Sequence, residues 1–179
     1  MDKEKILLHV CCAPCSAYVI EQVSKEFDVV LYFYNPNVHP EEEYVMRKDE
    51  VRAYADKKGI PYIEGDYDVP VWDQMTSGLE DEVEGGARCE SCFDLRLRRT
   101  AQVARNEGIR TFATTLSVSP HKDADMINAV GSEEAVKAGL SFLTSDFKKN
   151  DGFRKTMAIA KEEKFYRQNY CGCRYSYRK

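Results

Sequence analysis

The apolar positions of the first 34 residues predict a β–α–β opening. Ile6–Val10 is a short buried-type run, and Val29–Tyr34 is a second, rich in β-branched and aromatic residues. Between them, Ser16–Glu26 carries Tyr18, Val19 and Val23 at helical spacing, with Phe27 completing the stripe. Three later junctions repeat one grammar: Lys58-Gly59-Ile60-Pro61-Tyr62-Ile63, Glu107-Gly108-Ile109-Arg110-Thr111-Phe112 and Ala138-Gly139-Leu140-Ser141-Phe142-Leu143. Each ends a helical stretch, places glycine where a left-handed residue stops the helix, and then starts a strand. The helices that precede them are expected at Glu42–Lys57, Phe93–Asn106 and Ala124–Lys137, with a last helix at Gly152–Lys164. Strands alternating with helices predict an α/β fold. It has three layers: helices cover both faces of a mainly parallel, Rossmann-like sheet.

Tyr67–Gly86 breaks the rhythm, with Pro70, Trp72, several acids and Gly85-Gly86. It reads as an insertion or lid, at about 67–88, that contains a short helix. No internal repeat and no linker to a second domain is present, so the 179 residues are expected to form one domain.

Composition narrows the class. The 43% hydrophobic content suits a globular chain, and the longest apolar run near the start, Ile6-Leu7-Leu8, stops at His9. No secretory or membrane-spanning segment is evident, so a cytoplasmic protein with reduced thiols and no membrane partner is expected. The net charge of −4 hides an asymmetry. Glu41–Glu84 holds fourteen Asp/Glu against five Lys/Arg, whereas Thr144–Lys179 holds ten Lys/Arg against four Asp/Glu. Such a chain presents either a phosphate-binding face on an acidic body or simply two oppositely charged solvated surfaces.

The cysteines alter the picture most. Seven fall in three groups: Cys11-Cys12-Ala13-Pro14-Cys15, Cys89-Glu90-Ser91-Cys92 and Cys171-Gly172-Cys173. The odd count and the adjacent Cys11-Cys12 weigh against a disulfide framework. Four thiols suffice for one zinc site or one iron–sulfur cluster, and seven suggest more than one metal. In open parallel sheets, ligands bind beyond the carboxyl ends of the strands. Cys11 and Cys12 follow the first strand, Asn35-Pro36-Asn37 follows the second, and Thr114–His121 follows a later one, so these loops are expected on one rim. Cys15 enters the following helix, where the helix dipole favours thiolate, and Cys89 and Cys92 are expected just before one. The turn after the first strand contains no glycine, which argues against nucleotide binding there. Among the histidines, His9 reads as a core or supporting residue, His39 as a surface residue and His121 as a rim residue able to meet substrate.

These motifs resemble the QueH-type epoxyqueuosine reductases from residue 9 to residue 173. The resemblance rests on His9–Cys15, Tyr34–Pro40, Glu43-Tyr44, Cys89…Cys92-Phe93-Asp94-Leu95-Arg96-Leu97, Thr114–Pro120 and Tyr166–Cys173. It implies a fold akin to the PP-loop group and removal of the epoxide oxygen from epoxyqueuosine in tRNA. It also implies a [4Fe–4S] cluster with a second mononuclear metal ion, iron or zinc, nearby, no cobalamin, and an external low-potential electron donor. The chemistry fits: turning an epoxide into an alkene takes two electrons and two protons and releases water, a task for a redox centre beside a Lewis acid. Within the seven cysteines, Cys11, Cys12, Cys89, Cys92 and Cys171 are the expected cluster-binding residues; spacing leaves their division between two metals open. Asp94 is a carboxylate able to complete a ligand set or to cap its helix. Tyr170, Tyr175 and His121 are the expected proton donors. Asn35, Asn37, Thr115, Ser117, Arg96, Arg167 and Arg174 are expected to meet substrate or tRNA. Arg98, Arg99, Lys148, Lys149, Arg154, Lys155 and Arg178 add positive charge, and Tyr34, Tyr166, Tyr170 and Tyr175 are available to stack on an everted base. Two readings compete: an iron–sulfur tRNA thiolase of the PP-loop group, and a zinc-stabilised RNA-binding module without catalysis.

Overall fold

A computed structural model describes residues 3–177; Arg178 lies outside the described residues. Five strands form one parallel sheet in the order β3-β2-β1-β4-β5. They are β1 (Glu4–Val10), β2 (Phe27–Phe33), β3 (Tyr62–Glu64), β4 (Thr111–Thr114) and β5 (Ser141–Phe142). The helices are α1 (Ala13–Val23), α2 (Glu41–Lys58), α3 (Val69–Thr76), α4 (Ala87–Asn106), α5 (Ala124–Ala138) and α6 (Gly152–Glu162).

Both faces of the sheet are buried, as a parallel sheet requires. Ile6, Leu8 and Val10 of β1, with Leu31 and Phe33 of β2, pack under α1 and α2. Leu7, Val30 and Tyr32 point the other way, onto Trp72 of α3, Leu97 of α4 and Ile127 of α5. The period of two along β1 and β2 therefore divides the core into two halves. Gly59, Gly108 and Gly139 have φ of 65°, 68° and 69°, the left-handed conformation expected at each helix-to-strand junction.

Two boundaries differ from expectation in ways that matter. Helix α4 starts six residues before Phe93, directly after Gly86, so Cys89 and Cys92 lie inside its first turns rather than ahead of it. At spacing i, i+3, i+7 they share a helix face with Arg96. Helix α1 likewise starts at Ala13, with Pro14 in its first turn, where a missing N–H costs nothing. The segment expected as an insertion holds α3, a series of turns and the start of α4.

The chain runs outward from β1 in both directions, to β2 and β3 on one side and to β4 and β5 on the other. The switch point lies at the carboxyl ends of β1 and β4, where such folds open a crevice. Among the described residues, no helix is long and apolar enough to cross a membrane.

Candidate metal centre and substrate cavity

A cavity of about 320 Å³ opens at the switch point. The β1–α1 turn gives it Cys11 and Cys15, and the loop after β4 gives it Thr115, His121 and Lys122. Helix α4 adds Cys89 and Cys92, and the C-terminal segment adds Cys171 and Cys173. Cys12 is buried beside Cys11, with 3.7 Å between the two sulfurs. Three cysteine groups far apart in sequence therefore meet in one place.

One of the donor sets is compact. The sulfurs of Cys11, Cys12 and Cys15 all lie within 4.8 Å of one another. Cys171 and Cys173 share Ser176, whose hydroxyl lies 3.0 Å and 3.5 Å from their respective sulfurs. Cys89 and Cys92 line the same cavity from α4, and among the described residues the Cys11/Cys12/Cys15 group is the one compact enough to hold an ion as it stands. Each set contains one thiol held well below the usual range. For Cys11 the cause is hydrogen bonding from Cys12 and then Cys15; for Cys171 it is hydrogen bonding from Cys173, and the Lys122 ammonium acts on both. Burial alone would lower Lys122, but facing Cys171, Cys11 and Cys15 raises it instead. Soft thiolates around a cationic centre are the donors that iron, zinc and iron–sulfur clusters take.

Hydrogen-bond donors also reach the sulfurs. Gln168 Nε2 donates to Cys12 Sγ at 2.9 Å, and the Gly85 N–H donates to Cys89 Sγ at 3.2 Å. Longer contacts of 3.9 Å run from Thr115 Oγ1 to Cys11 and from Arg96 Nη1 to Cys92. Such contacts orient ligands and favour their charged form.

With this geometry in view, comparison with known proteins is decisive. The family described as "Epoxyqueuosine reductase QueH" matches residues 6–179. The chain belongs to this family. Proteins carrying that description are 44% identical in Histophilus somni (97% of this chain, 72% of the relative) and 41% in Acinetobacter baylyi (99% and 82%). One from Thermotoga maritima is 37% identical (96% and 89%). The fold resembles that of the U34-tRNA thiolase NcsA from Methanococcus maripaludis, solved with its [4Fe-4S] cluster, at a TM-score of 0.59 and 14% identity. That match covers 99% of this chain and 63% of the thiolase. A predicted subunit of a tRNA methyltransferase from Methanocaldococcus jannaschii gives 0.53 at 13% identity, over 88% and 76%.

The QueH motifs do not all reach the cavity. Asn37, Thr115, Arg96, Arg167, His121 and Tyr170 line it. Asn35 does not: it is buried, donating from Nδ2 to the Val10 carbonyl at 2.9 Å and accepting from Arg96 Nη2 at 2.7 Å. Arg96 is 3% exposed and so ties the β2 loop to α4 and Cys92 instead of presenting charge to a phosphate. Ser117 is buried against Ser145 and the Phe147 N–H. Arg174 pairs with Asp73 at 2.7 Å and lies over Trp72. Asp94 pairs with Arg98 one turn along α4, off the cavity. Of the aromatics, Tyr34 is fully buried and stacks on Tyr32, so no base reaches it. Tyr166 bonds Glu43, and Tyr175 packs on Trp72 and under Arg88. The Tyr170 hydroxyl already donates to the His39 carbonyl, and burial pushes its pKa up to about 12. Both properties keep the proton on the phenol in the folded chain.

Sequence reasoning missed Arg47, Gln168, Lys122 and Trp72 as site residues. Gln168 stands inside a quoted motif and Lys122 beside His121, but nothing in their spacing marks a role. Arg47 follows Glu43 by one helical turn, and only tertiary structure shows that the pair is buried.

Proposed function

We propose that this chain removes the epoxide oxygen from epoxyqueuosine at the wobble position of tRNA, giving water and queuosine, whose ring then holds an alkene. The observation that carries the reading is the convergence of six of the seven thiols on one substrate-sized cavity, with Cys12 buried behind them, in a chain matched by the family over nearly its whole length. The cavity lies at the small end for ligand sites, fitting one everted base rather than a stretch of RNA.

The two donor sets, Cys11/Cys12/Cys15 and Cys89/Cys92/Cys171/Cys173, are where a [4Fe–4S] cluster and a second metal, iron or zinc, would be held. The fold neighbour that carries such a cluster supports this. When bound, the metals would supply two electrons and a Lewis acid. The chain's own groups do the rest. Thr115, Gln168 and Ser176 orient the thiols, Lys122 offsets their negative charge, and His121 stands exposed on the rim to bring protons from water. Residues 67–88 close one wall through Trp72, Gly85 and Arg88. Arg167 at the mouth, with exposed Lys149 and Arg154, offers phosphate contacts. Electrons come from an external low-potential donor, and the chain works in the cytoplasm.

Anaerobic incubation of metal-loaded protein with epoxyqueuosine-tRNA and a low-potential reductant tests the reading. Queuosine is the expected product; none from protein with full iron content would overturn it. ATP-dependent sulfur transfer to tRNA would favour the thiolase alternative. A colourless protein holding only zinc would favour the RNA-binding module.

A further inference from the structure

Two buried amide oxygens in the cavity have no partner among the described residues: Asn37 Oδ1 and Gln168 Oε1. Asn37 is 2% exposed, and an acceptor buried without a donor destabilises the fold. Two such oxygens on residues that line one cavity call for a ligand that donates to them.

Their surroundings say where on a ligand those donors sit. The Gln168 amide has its nitrogen on Cys12 Sγ at 2.9 Å. Cys12 Sγ accepts from that nitrogen, so the carbonyl end of the amide is the free one, next to the first donor set. Asn37 belongs to the loop on which the second set docks. The His39 N–H, two residues on, donates to the Gly172 carbonyl at 2.7 Å, between Cys171 and Cys173. Both side chains therefore line the same cavity as the thiols, where the reacting carbons must come.

We propose that Asn37 and Gln168 accept hydrogen bonds from the two vicinal hydroxyls of the substrate's cyclopentane ring, one of which stands on the carbon next to the epoxide. The inference rests on the function proposed above and specifies the substrate group that the site reads. The base itself is separated from that ring by an aminomethyl link, so its edge meets the outer wall. The amides thus select for a vicinal diol beside the reacting bond and hold the ring in register with the thiols. Gln168 also couples the two: one end of its amide holds Cys12 and the other holds the ligand.

The test compares binding of two tRNAs to metal-loaded protein without reductant, by anaerobic fluorescence anisotropy. One carries queuosine, whose ring keeps both hydroxyls; the other carries 7-aminomethyl-7-deazaguanine, which lacks the ring. Wild-type protein is expected to prefer the first by about tenfold, as two hydrogen bonds to otherwise unpaired acceptors imply. Asn37→Leu and Gln168→Met, near-isosteric changes on different elements, should each lose most of that preference. Asn37→Leu should bind the ringless tRNA as wild type does, which also reports an intact fold; Gln168→Met also loses its bond to Cys12, so its metal content is counted alongside. A preference that survives in both variants, or is absent from the wild type, overturns the proposal while leaving queuosine formation untouched. Loaded wild-type protein that makes no queuosine overturns the reading beneath it.

Discussion

Arg47 Nη1 donates to the carbonyl of Cys171 at 3.0 Å across 124 residues of sequence. The same guanidinium reaches the Tyr170 carbonyl through Nη2 at 3.3 Å and Glu43 through Nε at 2.8 Å. It is 2% exposed, and the Tyr170 ring lies against it. Gly172 at φ 118° turns the backbone so that both carbonyls face this side, and a Cβ there would stand 2.9 Å from Arg47 Nη1. The C-terminal segment therefore owes its position to one buried fork on α2.

Replacing Arg47 with Met leaves the Glu43 carboxylate buried with only the Tyr166 hydroxyl as partner and no countercharge, and breaking such pairs typically costs about 3–5 kcal/mol. Arg47→Lys keeps the charge but cannot reach Glu43 and two carbonyls at once. The Lys variant should keep its fold and lose iron held through Cys171 and Cys173. Glu43→Gln combined with Arg47→Met should recover part of the stability that Arg47→Met loses. Thermal unfolding and iron counting on the three proteins check this; full iron in the Lys variant would show that the fork does not set the segment.

The two donor sets should empty independently. Converting Cys11, Cys12 and Cys15 to Ser together should remove one part of the bound metal, and converting Cys89, Cys92, Cys171 and Cys173 the rest. Metal analysis and Mössbauer spectra of anaerobically purified variants decide the matter. If either block of substitutions removes all the metal, the seven thiols serve one site.

Much of this was legible from the residues themselves. The β–α–β opening, the three glycine junctions and the parallel sheet follow from apolar periodicity and turn chemistry, and they suffice to bring the polar loops to one rim. Less legible was anything that depends on which side a side chain takes in three dimensions. Tyr34 sits in a motif beside Asn35, yet it alternates into the core. Arg96 looks like a phosphate ligand among its arginine neighbours, yet α4 begins early enough to place it on the buried face with Cys89 and Cys92. The orphaned oxygens of Asn37 and Gln168 have no counterpart in a sequence pattern, because an unmet hydrogen bond exists only once the neighbours are in place.

His9 shows how the rim is pinned. Its Nε2 lies 3.0 Å from the Tyr34 carbonyl, which only accepts, so Nε2 carries the proton and Nδ1 accepts from the Thr114 hydroxyl at 2.9 Å. Burial, and then the Arg96 charge, lower its pKa from 6.5 to about 3. The unfolded chain therefore takes up a proton near pH 6.5 that the folded chain refuses. The stabilising contribution is whole above pH 6.5 and declines as pH falls from there towards 3. Between pH 7 and 5 this one group should cost the fold about 2 kcal/mol. Urea unfolding of metal-free wild type and His9→Gln at both values should show the wild type losing more by that amount; equal losses would mean that His9 titrates freely.

Positive charge at the cavity mouth should appear in the salt dependence of tRNA binding. Each phosphate contact contributes about −0.7 to −0.9 to the slope of log K against log salt concentration. Arg167 lines the mouth, while Lys149 and Arg154 are exposed on the same basic C-terminal stretch, their side chains 75% and 82% accessible. Replacing each with Gln should make the slope shallower by just under one unit and weaken binding of any tRNA alike, modified or not. Arg96→Gln should behave differently. It breaks the bond to Asn35 and the contact with Cys92, so it should lower metal content and stability while leaving the salt slope unchanged. Filter binding at four salt concentrations separates the two behaviours. A slope that falls for Arg96→Gln but not for Arg167→Gln would place the tRNA backbone on α4 instead of at the C-terminal mouth.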